Sequence, residues 1–157
     1  MDKLIGKARV LVEALPYIQK FRGALVVIKF GGSAMEDPEL TSQTMRDAVL
    51  LEAIGMKPVV VHGGGKAISA ELKNRGIETQ FINGLRKTCA DSVKVVDDVL
   101  HNHVNAALVD NVMKYGGVAR QISGKEILKA EKMYSKCKET GADLDIGFVG
   151  SVTEVDI

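Results

Sequence analysis

Two runs of β-forming residues in this chain pass directly into glycine. Leu25-Val26-Val27-Ile28-Lys29-Phe30 leads into Gly31-Gly32-Ser33, and Val59-Val60-Val61-His62 leads into Gly63-Gly64-Gly65-Lys66. A buried strand that ends in backbone without side chains, with a helix behind it, aims main-chain N–H groups at an anion. Two such units about thirty residues apart imply two neighbouring anion sites in an α/β fold. Lys29 stands at the end of the first strand. An ammonium there would lie between two negatively charged reactants and offset the charge that builds as they meet, which is the electrostatic demand of phosphoryl transfer.

The order of elements follows from periodicity. Leu4, Ala8, Leu11, Val12, Leu15 and Ile18 fall at helical spacing, so residues 4–21 are expected to form an amphipathic helix, with a bend or break at Pro16. Its apolar stripe has two uses, packing on its own domain or reaching a neighbouring subunit, and the first is the more ordinary. Asp37-Pro38 starts a helix that runs toward Ile54 and stops at Gly55. Pro58 opens the second strand, and a further helix spans 66–74 with Gly76 as its stop. Strand, helix, strand, helix in this order implies right-handed parallel crossovers.

Phe81 to Arg86 contains an Asn83-Gly84 turn. Thr88, three residues ahead of Asp91, is expected to form a capping box. The long helix that follows reaches Tyr115 and ends at Gly116-Gly117. Residues 118–122, 127–130 and 145–152 read as short strands. The chain stops at Val155-Asp156-Ile157 inside a strand pattern, which raises the expectation of a continuation.

Composition narrows the function classes. The chain has 157 residues, 46% hydrophobic and 26% charged, with no apolar run near the roughly 20 residues of a membrane helix. Lys7, Arg9 and Glu13 interrupt the apolar positions near the N-terminus, so a signal peptide is not expected. Twenty-one basic against 20 acidic residues produce no global field for nucleic acid or a membrane surface. Cys89 and Cys137 lack any metal-ligand or redox spacing, and reduced thiols in the cytoplasm are expected.

Several residues carry candidate chemistry. Gly31 and Gly32 would let a phosphate approach the main chain, and the Gly63–Gly65 run would bind a carboxylate or phosphate. Arg86 offers a planar fork for a carboxylate, with a solvated loop arginine as the plain alternative. Lys29, near the end of an apolar strand, must either reach out to water or meet an anion. No GxxxxGK[ST] or GxGxxG run is present, which disfavours Walker-type nucleotidases and dinucleotide dehydrogenases. His62, His101 and His103 read as structural or solvated residues.

In combination, Lys29-Phe30-Gly31-Gly32-Ser33, His62-Gly63-Gly64-Gly65, Asn83-Gly84-Leu85-Arg86-Lys87-Thr88 and Gly147-Phe148-Val149-Gly150-Ser151-Val152 resemble the acetylglutamate kinases of the amino acid kinase family. Val104-Asn105, Gly116-Gly117 and Ser123-Gly124-Lys125 also sit where that family has similar residues. Leu15-Pro16-Tyr17-Ile18 is similar to the N-terminal helix of its arginine-inhibited, hexameric branch. Departures occur at Lys66, at Cys89 where the family often has Asp, and at Glu126 where it has Asp.

The resemblance implies a three-layer α/β sandwich with a mainly parallel central sheet. Residues 1–22 would form an N-terminal helical arm and 23–157 the substrate-binding lobe, the C-terminal nucleotide-binding lobe being absent. It also implies phosphorylation of the side-chain carboxylate of N-acetyl-L-glutamate by ATP with Mg2+, a step of arginine biosynthesis. Lys29 would be catalytic, Gly31 and Gly32 would hold phosphates, and Gly64, Gly65 and Arg86 would bind substrate, with no protein-held metal. A homo-oligomer is implied, a dimer through the 91–115 helix and a hexamer through the N-terminal helix. Half of such a kinase is expected to be weak or inactive alone. Two other readings stand beside it: a non-catalytic binding or oligomerisation module, and an amino acid kinase with a different acidic substrate.

Overall fold

The computed structural model describes residues 2–156; Met1, with which the expected N-terminal arm begins, and Ile157, which ends the chain, lie outside the described residues. The chain divides into two compact units. One comprises the residues up to His62 together with Asp110–Ala119, and the other comprises Gly63–Val109 together with the residues from Arg120 onward.

In the first unit, helix α1 (Asp2–Phe21) is continuous through Pro16, where a bend or break was expected. Its apolar residues, among them Leu4, Leu11, Val12, Leu15 and Tyr17, are exposed along the helix. The plain expectation that this stripe packs on its own domain is therefore not met. Strand β1 (Leu25–Phe30) pairs in parallel with β2 (Lys57–His62), and helix α2 (Pro38–Ala53) connects them. The helix starts where the sequence implies: the Asp37 carboxylate accepts from the N–H groups of Glu39 and Leu40 at 2.8 and 3.2 Å, and Pro38 takes the first turn. Gly55 ends it with φ +94°, a conformation that glycine adopts without steric cost.

The β1–β2 pair is two-sided. Phe30 is buried on one face, as are Met45 and Ala48 of α2. The other face presents Leu25, Val27, Val59 and Val61, which are 68, 63, 37 and 52% exposed. Lys29 belongs to that open face, paired in register with Val61. Its apolar neighbours predict a lysine at the end of a buried strand. Here it is already exposed, so burial by itself forces no anion on it.

In the second unit, helix α3 (Gly65–Asn74) packs against α4 (Ala90–Asp98) and the seven-residue π-helical stretch Val99–Asn105 that continues it into α5 (Ala106–Lys114). Ile68, Leu72, Val95 and Val99 form the core, joined by Ile77, Val96, Leu100 and Val104. Between α3 and α4 lies a hairpin, β3 (Gln80–Ile82) with β4 (Leu85–Lys87), turned by Asn83 at φ 51° and Gly84 at φ 82°. Two consecutive positive φ values are the type I′ signature, so the Asn-Gly signal decided both the turn and the register.

Two expectations fail. Helix α4 is capped by Cys89 with no side-chain cap bond, and the Thr88 hydroxyl donates to the Arg86 carbonyl at 3.1 Å. Thr88 is instead drawn into backbone pairing with β6 (Asp143–Val155): its N–H donates to the Ile146 carbonyl, and its carbonyl accepts from the Phe148 N–H. Residues 118–123 have no regular structure, and Gly124–Ile127 is one helical turn, α6, before β5 (Leu128–Lys136) pairs antiparallel with β6. The fold is α/β with one parallel pair in the first unit, as expected, and two antiparallel ladders in the second.

Salt bridges fasten α3 to α4. Arg75 donates to Glu71 at 2.7 Å and to Asp98 at 3.0 Å, and Asn102 donates to Asp98 at 2.9 Å. The Arg75 hydrogen bond holds the Glu71 carboxyl below its ordinary range; the Asn102 bond, then Arg75, does the same for Asp98. A depressed carboxyl stabilises the fold above its unfolded-state pKa, and that contribution is lost as pH falls through the folded value. Urea denaturation from pH 7 downward is expected to show stability falling below about pH 4, and Arg75→Met to reduce that dependence without abolishing it, because Asn102 still holds Asp98 and Lys132 still holds Asp145. Parallel curves for both proteins would contradict this assignment.

Candidate functional site

The parallel register sets Phe30 beside His62, so the two strands end level at the same end of the sheet. Each then releases its chain into glycine. Beyond β1, Gly31 is extended at φ 176°, and Gly32 at φ +65° turns the chain into the short 3-10 helix Gly32–Met35. A side chain at Gly32 would meet nothing within 4 Å. The backbone there is open to an approaching group, and the residue must still be glycine-like for conformational reasons.

Beyond β2, the three glycines divide by role. Added Cβ atoms at Gly63 and Gly65 would meet nothing within 4 Å, whereas one at Gly64 would come within 2.6 Å of Leu100 Cδ2 in the π-helical stretch. A side chain at Gly64 would have to displace Leu100. Gly64 caps α3, whose first amides include that of Gly65; the first amides of a helix form an anion-binding terminus.

Arg86 lies on β4, half-buried, and is not the solvated loop arginine of the plain alternative. Its Nη2 donates to Ser69 Oγ at 2.8 Å and to the Gly65 carbonyl at 3.3 Å, and its Nη1 donates to Thr79 Oγ1 at 3.3 Å. The Phe81 ring lies 4.7 Å from the guanidinium carbon, a cation–π distance. Five N–H groups against three protein acceptors leave at least two donors for a carboxylate. The structure therefore brings Arg86 onto the Gly65 turn within the second unit, while Lys29, Gly31 and Gly32 belong to the first.

Ser69, Thr79 and Phe81 were not singled out by sequence reasoning. Two signals were available. Ser69 lies four residues after Gly65, on the same face of a helix, and the two-residue Asn83-Gly84 turn dictates that Phe81 stands opposite Arg86. Asn83 itself is an anchor, donating to Ser135 Oγ at 2.9 Å and to the Lys136 carbonyl at 2.8 Å. Lys125 of the Ser123-Gly124-Lys125 run pairs with Asp97 at 2.6 Å. Among the described residues, no cluster of three His, Cys, Asp or Glu side chains is placed to hold a metal ion. No described helix is long and apolar enough to cross a membrane.

The amino acid kinase family pattern matches residues 24–157, and the chain belongs to that family. Its curated relatives include proteins named acetylglutamate kinase. One, from Akkermansia muciniphila, is 47% identical over 97% of this chain and 51% of its own length; another, from Caldanaerobacter subterraneus subsp. tengcongensis, is 48% identical over 98% and 50%. The chain spans about half the length of these relatives. Among solved structures, N-acetylglutamate synthase from Neisseria gonorrhoeae, complexed with coenzyme A and N-acetyl-glutamate, shares the fold. It has a TM-score of 0.70 at 20% identity, covering 93% of this chain and 32% of that one.

The glycines provide a direct test of these local assignments. Gly147 has φ +78°, and a Cβ there would run into the Thr88 carbonyl. Gly147→Ala is therefore expected to cost about 3 kcal/mol or more. Gly32→Ala, strained but facing open space, should cost only about 1 kcal/mol. Denaturant titration of both variants checks the order; equal losses would refute it.

Proposed function

We propose that this chain is the substrate-binding lobe of an acetylglutamate kinase, which transfers the γ-phosphoryl group of ATP to the side-chain carboxylate of N-acetyl-L-glutamate. The observation that carries the reading is the tie between Arg86 and the Gly65 turn, which joins a fixed guanidinium to the N-terminus of α3 in one carboxylate-sized site. The relatives' names agree with it over nearly the whole of this chain.

In this reading Gly64 and Gly65 amides and Arg86 hold N-acetylglutamate, and the Gly31 and Gly32 amides face the phosphates. Lys29 neutralises charge on the transferring group. The substrate carboxylate is already a nucleophile, so the protein supplies orientation and charge relief and needs no general base. The empty space beside Gly32 and Gly65 suits close approach of oxyanions. Mg2+ would arrive with ATP and would offset the charge of its phosphates.

The same reading treats the chain as incomplete for turnover. Parallel sheets are ordinarily covered on both faces, yet the face bearing Leu25, Val27, Val59 and Val61 is open. The half of the relatives not represented here would cover it and supply the rest of the nucleotide site. The exposed stripe of α1 suits a contact between copies, so a homo-oligomer built through α1 and through the 91–115 helix in the cytoplasm is part of the proposal.

Calorimetry and ADP release test it. The chain alone should bind N-acetylglutamate, and N-acetylglutamate-dependent ADP release should appear when the second half of the Caldanaerobacter relative is supplied. Lys29→Met should then slow turnover by about 100-fold or more. Absence of both binding and complemented activity would overturn the proposal, as would preference for aspartate or glutamate over the acetylated substrate.

A further inference from the structure

We propose that Ser69 is a positioning residue for Arg86, tying the guanidinium to the glycine turn before any ligand arrives. The inference rests on the reading that Arg86 receives a substrate carboxylate, and it adds the group that aims it.

The serine hydroxyl has one proton and two lone pairs. The proton is committed: Ser69 Oγ donates to the Gly65 carbonyl, four residues earlier in α3, at 2.9 Å. A serine in a helix often makes this bond with no further consequence. Here the oxygen also accepts from Arg86 Nη2 at 2.8 Å, and the same Nη2 lies 3.3 Å from the Gly65 carbonyl. Guanidinium, hydroxyl and carbonyl close a three-membered ring of polar contacts, in which the committed proton strengthens the oxygen as an acceptor. Of the three acceptors around Arg86, Ser69 is the nearest. The Gly65 carbonyl and Thr79 stand at 3.3 Å, where a hydrogen bond is weak.

Phe81 limits the arginine from its flat side, so Ser69 decides its position within the plane. The consequence is preorganisation. Arg86 loses its rotamer freedom on folding and does not lose it again on binding, and its remaining N–H groups keep a fixed direction relative to the first amides of α3. Without the hydroxyl, the arginine would keep only the two longer contacts and the Phe81 ring, and part of its ordering would wait for the carboxylate.

The test uses the full chain. By calorimetry, Ser69→Ala should weaken N-acetylglutamate binding about fivefold, and Ser69→Thr, which keeps a hydroxyl, should restore it to within about twofold of the parent. In an Arg86→Lys background, Ser69→Ala should add no further loss, because the two side chains act as one unit. Without ligand, 15N exchange spectroscopy should find guanidinium rotation of Arg86 hindered in the parent chain and faster in Ser69→Ala. Unchanged affinity in Ser69→Ala, or an equal loss in the Arg86→Lys background, would overturn the proposal. If the parent chain fails to bind N-acetylglutamate, the functional reading falls. The rotation measurement then decides alone, and equal rates in the two proteins would reject the positioning role.

Discussion

Parallel pairing of Leu25–Phe30 with Lys57–His62 is the constraint from which the rest of the arrangement follows. Its register brings Phe30 and His62 level, so two stretches of glycine backbone leave the sheet at the same end. Had the strands paired antiparallel, the two glycine turns would have left from opposite ends. The helix between the strands, capped by Asp37 and stopped at Gly55, makes the crossover long enough for parallel pairing.

Glycine serves three different purposes in this chain. Gly32 is needed for its backbone angle and leaves open space. Gly64 and Gly117 are needed because neighbouring side chains fill the volume a methyl group would take: Leu100 in the first case, Val49 and Val112 in the second. Gly147 is needed on both grounds, with a positive φ and the Thr88 carbonyl directly against it.

Much of the local structure was legible because it rests on short-range chemistry. Asp37-Pro38 and Asn83-Gly84 each specify a backbone conformation through atoms within a few residues, and both appear where the sequence implied. Thr88 was misread for the opposite reason. Its spacing to Asp91 suits a capping box, but β6 competes for its backbone and its hydroxyl turns to the Arg86 carbonyl. Val118 to Ile122 has strand-forming residues but no described partner strand to make a ladder. Lys29 was judged by the apolarity of its neighbours, and the face it shares with Leu25 and Val27 is open.

The candidate site divides along the same line. From the order of residues alone came the α/β class, the two glycine turns, and Lys29 and Arg86 as candidate cations, because strand and turn propensities act over a few bonds. The folded chain decided what holds Arg86 and what Gly64 is for. Ser69, Thr79 and Phe81 converge on one guanidinium from α3, the loop after it and β3. Leu100, thirty-six positions beyond Gly64, fills the space that glycine leaves. Such contacts depend on how helices and strands pack, and packing joins residues whose separation along the chain carries no local energetic signal.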